Sequence, residues 1–186
     1  MSAQRVISDI AAPWIVNVFF FVTLGIALDA IPAGLASATL TGVLPRLLIF
    51  SLMRRGNVSH RHVTNRQERA PVFAGIVGCL IALIVILRQV ETPRTIWVAV
   101  WAALGFIGVF AAVTLLFRLK ISVHVGLWFT VWACLGVVLS PWWQLGLLAL
   151  PVIAWSRISL GQHSPREVLG GLVAGVVVFS AAFVAL

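Results

Sequence analysis

The chain has 186 residues, 61% of them hydrophobic and 10% charged, with a formal net charge of +8. A mean hydropathy of +1.10 excludes a water-soluble globule. The positive charge does not point to nucleic acid, because the basic residues lie in short connections between apolar runs and form no continuous soluble face.

Those runs are long enough to cross a bilayer, which takes roughly 20 helical residues each. In chain order, spans are predicted near 12–30, 36–53, 72–90, 95–117, 123–140, 142–155 and 168–186. The runs 123–140 and 142–155 are short and joined through Ser140-Pro141, which suggests a tight hairpin. One span can be half-embedded, so six to seven are expected. Lipid offers no water to free backbone groups, so the expected fold is all-α: a polytopic transmembrane helical bundle, residues 1–186 forming one integral-membrane domain. The first run lacks a small-residue cleavage site after a short apolar core, which argues against a removable signal peptide. Pro45-Arg46 and Pro151 read as kinks near span ends. Cys79 and Cys134 sit inside apolar runs and are expected to be buried and unbridged. The pairs Gly105/Gly108 and Gly171/Gly175 are small residues at helical spacing, expected to let helices approach closely. Trp14, Trp97, Trp142 and Trp143 fall near span ends, where aromatic side chains anchor at the interface.

Counting crossings from the N-terminal side returns the chain to that side at residues 54–71, again at 118–124 and again at 156–167. All four histidines, His60, His62, His124 and His163, lie in these segments. A working site at one membrane face requires such segregation. Arginine excess in the short loops there, with Arg5, Arg54, Arg55, Arg61 and Arg118 against Arg88 and Arg94, points that face toward the cytoplasm of a bacterial-type plasma membrane.

The first polar segment, Asn57 to Pro71, is rich in forked donors. Arg66 and Arg69 are three apart, so one helical turn aims both the same way, and guanidinium groups can hold phosphate oxygens bidentately. A solvated positive loop explains the same residues. In the second segment, Ser122 is placed to cap a helix and bind a phosphate oxygen, and His124 to protonate a departing oxygen. A snorkelling Lys120 and an interfacial His124 are the alternative. The third segment reads as a helix start, with Ser164 as cap, Pro165 at the first helical position and Glu167 at the third. His163 then stands just before a helix N-terminus, where a phosphate can dock, and Glu167 can fix its tautomer. Glu167 can equally complete a capping box alone.

Taken together, the three segments resemble the type 2 phosphatidic acid phosphatase superfamily, which includes vanadium haloperoxidases and glucose-6-phosphatase. Its pattern is K-x6-R-P, then P-S-G-H, then S-R-x5-H-x3-D. Ser156-Arg157, His163 and Glu167 match the third signature at every spacing, with glutamate for aspartate. Ser122 and His124 match the second, with Ile121 and Val123 replacing its proline and glycine. Of the first, Arg69 fits the arginine, His62 falls on the lysine, and Pro71 comes one position late. The resemblance covers about residues 60–180. It implies a helical-bundle core and metal-independent phosphate hydrolysis through a phosphohistidine, with no cofactor. Carried over by position, His163 is the nucleophile, Glu167 orients it, His124 is the general acid, and Arg69, Ser122 and Arg157 hold the phosphate. Lys120 and Arg66 lie outside the pattern, and either can compensate for the missing lysine.

The expected function is therefore an integral-membrane lipid phosphatase or pyrophosphatase acting on an isoprenoid phosphate or diphosphate or a phosphatidate-like lipid. The partners implied are the bilayer and this lipid substrate, without nucleic acid. A non-catalytic lipid-binding protein or a transporter on the same fold is the alternative.

Overall fold

The structure, a computed structural model, describes residues 2–59 and 68–185. Among the described residues every regular element is helical. A short α1 (Ala3–Ile10) ends at Ala11-Ala12, and Pro13 starts α2 (Pro13–Ala27). Proline suits a first turn, because its missing N–H has no helical partner there. The two helices bend by 43° at this joint. Asp29 turns the chain with φ of 51°, a left-handed conformation that aspartate tolerates better than most residues.

The return span, Ile31–Arg54, is continuous over 24 residues but not uniform. It comprises α3 (Ile31–Ala38), a π-helical turn (Thr39–Val43) and α4 (Leu44–Arg54). Pro45 supplies the reason. Its ring would collide with the carbonyl of Thr41 in a regular helix, and it has no N–H to offer that carbonyl. Thr41 O instead accepts Asn17 Nδ2 from α2 at 3.1 Å.

Beyond the first polar segment come α5 (Arg69–Leu87), α6 (Arg94–Leu115) and α7 (Val123–Val138). A 3-10 helix (Pro141–Ala149) then leads into α8 (Leu150–Ser159), and α9 (Pro165–Ala185) closes the bundle. Among the described residues, four helical stretches are long and apolar enough to cross a membrane: Ile31–Arg54, Ala70–Leu87, Arg94–Leu115 and Pro165–Ala185. The bent α1–α2 pair makes up to five. The predicted span 142–155 takes a different form. Pro141 opens the 3-10 turn and Pro151 sits in the first turn of α8, so the apolar run divides into two shorter helices. Outward-facing Ile26, Leu47, Ile81, Trp101, Leu148 and Val184 are exposed, an apolar perimeter compatible with an integral membrane protein.

The central α7 packs against α9, the 3-10 helix, α2 and α8. Its contact with α9 is backbone on backbone. A Cβ at Gly126 would lie 2.5 Å from Gly171 O, and one at Gly175 would lie 2.5 Å from Gly126 O. Thr130 Oγ1 donates to the carbonyls of both Gly126 and Gly175, at 3.0 and 3.1 Å. Gly171 and Gly175 thus serve the close approach expected of them. Gly105 and Gly108 do not, since a Cβ at either meets nothing within 4 Å. Both cysteines are free thiols, Cys134 buried and Cys79 half-buried.

Candidate functional site

A cavity of about 310 Å³ lies within the bundle. His124 from α7, Arg157 from α8 and His163 from the α8–α9 connection all line it. Asp9, Asn17, Thr41 and Arg46 add polar groups, and Phe73, Ile76, Leu80, Phe106, Ile107 and Leu127 line an apolar part.

His163 is placed by the end of α8. Gly161, with φ of 64°, takes the left-handed position after the helix. Its N–H reaches Ile158 O at 2.9 Å, and Gln162 N reaches Arg157 O at 3.1 Å. This is the paired pattern of a Schellman motif. His163 N also donates to Arg157 O, at 3.2 Å, so the carbonyl of Arg157 fixes the backbone of His163. The start of α9 then holds the ring. Glu167 Oε2 lies 3.1 Å from His163 Nδ1 and accepts Ser164 N–H at 3.0 Å, while Glu167 N donates to Ser164 Oγ at 3.3 Å. One oxygen closes the capping box and contacts the imidazole. With Nδ1–H donating to this carboxylate, the lone pair resides on Nε2.

Arg157 is 1% exposed. A guanidinium so deep in apolar surroundings needs acceptors. Ser8 Oγ of α1 accepts Arg157 Nη1 at 2.5 Å, and Ser156 Oγ donates to Gln4 O at 2.7 Å. The short N-terminal helix is therefore seated on the Ser156-Arg157 pair.

Ser122 stands at the N-cap position of α7, but its hydroxyl does not cap the helix. It is fully buried and makes no hydrogen bond to another described residue. The backbone does the linking, for Ser122 N donates to Glu167 O at 3.0 Å. The second and third polar segments are thus hydrogen-bonded to each other beside the Gly126–Gly171 contact. Lys120 Nζ donates to Gln162 O at 2.6 Å, a contact on the loop that carries His163. Neither Ser122, Lys120 nor Glu167 lines the cavity.

Arg66 lies outside the described residues, and Arg69 is the first residue of α5. Three and four positions on, Val72 and Phe73 line the cavity. Asp9, Asn17 and Thr41 belong to no motif in the sequence, and Pro45-Arg46 is expected there only as a kink. The signal was available in part. An arginine and an asparagine inside apolar runs are costly in lipid and face a cavity or a partner by default.

Compared with known proteins, the chain matches no family model, no curated protein and no solved structure.

Proposed function

We propose that this protein is an integral-membrane lipid phosphatase or pyrophosphatase of the type 2 phosphatidic acid phosphatase kind, working through a phosphohistidine. One observation carries the reading: His124, Arg157 and His163, from three separate elements, line one cavity, with Glu167 on Nδ1 of His163. Arg157 binds the phosphate in the cavity, with Arg69 the candidate from the start of α5, while Ser122 supports the site through its backbone bond to Glu167. Nε2 of His163 attacks phosphorus, the bond from phosphorus to the lipid-side oxygen breaks, and His124 gives that oxygen its proton. Glu167 stabilises the positive charge that the imidazole acquires. In the second half, water attacks phosphorus, His124 takes its proton, the P–N bond breaks and phosphate leaves. The lipid tail occupies the apolar part of the cavity. Isoprenoid phosphates, their diphosphates and phosphatidate-like lipids are the candidate substrates.

The test is phosphate release from a panel of these lipids by purified, detergent-solubilised protein. The wild type is expected to turn over at least one of them, and His163→Ala none. Turnover unchanged in His163→Ala overturns the mechanism. Phosphate trapped on His163 after mixing with substrate separates catalysis from lipid binding alone.

A further inference from the structure

Arg46 is the cavity's second arginine among the described residues, and no signature accounts for it. It is half-buried, and no hydrogen bond or ion pair joins its side chain to another described residue. It stands eight residues before Arg54, the last residue of the span Ile31–Arg54, or about 12 Å along the axis at 1.5 Å per residue. An arginine at such a place, facing a cavity rather than lipid, has a use for its charge.

The packing of α2 against the return span fixes its level. A Cβ at Gly25 would lie 2.8 Å from Gly34 Cα, one at Gly42 would lie 2.8 Å from Trp14 O, and Asn17 bonds Thr41. These pairings define one antiparallel register. Arg46 lies five positions past Thr41, about 7 Å on, and Pro13 lies four before Asn17, about 6 Å on. Arg46 is therefore level with the α1–α2 joint at Ala11-Ala12, three to four residues after the Ser8 that holds Arg157.

We infer that Arg46 is a phosphate-binding residue of the cavity, so that cations from α4 and α8 together hold the headgroup. This rests on the phosphatase reading above, and it supplies from α4 the cation that the altered first signature lacks. A guanidinium recognises a phosphate by two parallel N–H···O bonds, which a lysine replaces only in charge.

The experiment uses detergent-solubilised His163→Ala protein, so that bound lipid is not consumed. Dissociation constants are measured for a lipid phosphate, its matching lipid alcohol and inorganic phosphate, with and without Arg46→Gln. The expected result is a loss of about tenfold or more for the lipid phosphate, the scale of a charged hydrogen bond, and little change for the alcohol. Arg46→Lys recovers part of the loss. As a second measurement without substitution at Arg46, the lipid phosphate, but not the alcohol, slows phenylglyoxal modification of Arg46 read by peptide mass. Equal lipid-phosphate affinity in the Arg46→Gln protein, or no protection, overturns the assignment and leaves the phosphatase reading standing. No preference for lipid phosphate over alcohol in the parent protein overturns both. Inorganic phosphate bound as tightly as the lipid phosphate, and weakened by Arg46→Gln, supports Arg46 but overturns the lipid as the ligand.

Discussion

Glu167 Oε2 meets two partners, Ser164 N–H and His163 Nδ1, and the two contacts predict different losses. Ser164→Ala removes the hydroxyl acceptor for Glu167 N but leaves the carboxylate against the imidazole. It is expected to cost about 1 kcal/mol of stability, as other lost caps do, with little change in turnover. Glu167→Gln keeps an oxygen for both N–H groups and removes the negative charge. On the proposed mechanism, which has the carboxylate stabilise the charged imidazole, turnover is expected to fall well beyond any change in thermal unfolding. Phosphate release and thermal unfolding on the same preparations check both. His124→Ala is expected to slow release by about 10²- to 10⁴-fold, the range of a lost general acid. The residue types and their spacing were legible in the sequence, since His163 stands just before a helix start and Glu167 in its first turn, four positions on. The part played by Ser122 was not. Its buried hydroxyl and its backbone bond to Glu167 O depend on how α7 crosses α9, which no local pattern encodes.

At the scale of elements, the α8–α9 connection fixes His163 by two devices. One is the left-handed Gly161, at φ of 64°. Gly161→Ala places a Cβ in a conformation that costs an L-residue roughly 1–2 kcal/mol, and relief of that strain would shift the loop. The variant is expected to melt earlier and to lose turnover, while affinity for a lipid alcohol, which makes no use of His163, stays near that of the wild type. The other device is Lys120, whose ammonium donates to Gln162 O from 42 residues away along the chain. Lys120→Met removes a charge-assisted bond of about 1.5–3 kcal/mol. A role in placing His163 predicts a fall in kcat with KM nearly unchanged, whereas a role in holding phosphate predicts the reverse. The helices themselves could be read from the sequence because each apolar run is long and bounded by turn residues. The 3-10 course of Pro141–Ala149 could not, since an apolar run preceding Pro151 looks the same in either helix.

Across the whole molecule, the count of chain crossings anticipated that distant polar segments share one end of the bundle. The described members of the second and third segments do meet there, through the Ser122–Glu167 backbone bond and the Lys120–Gln162 contact. Residues 60–67 of the first segment lie outside the described residues. The crossing count did not anticipate α1. This helix is too short and too polar to register as a span, yet Ser8 reaches the buried Arg157 across nearly the whole length of the chain. The cavity also joins polar and apolar parts in a way that composition alone does not indicate. Ala103 lines it, as do the apolar Phe106, Ile107, Phe110 and Leu80. If the apolar part receives the lipid tail, bulk added at Ala103 competes with that tail and not with the headgroup. Ala103→Phe is therefore expected to raise KM for long-chain lipid phosphates while leaving release from a short-chain, water-soluble phosphate ester nearly unchanged. Overpacking of an interior commonly costs 1–3 kcal/mol, so thermal unfolding of the variant is followed alongside. Equal losses on long and short substrates would place the tail outside this cavity, against the outer surface of the helices.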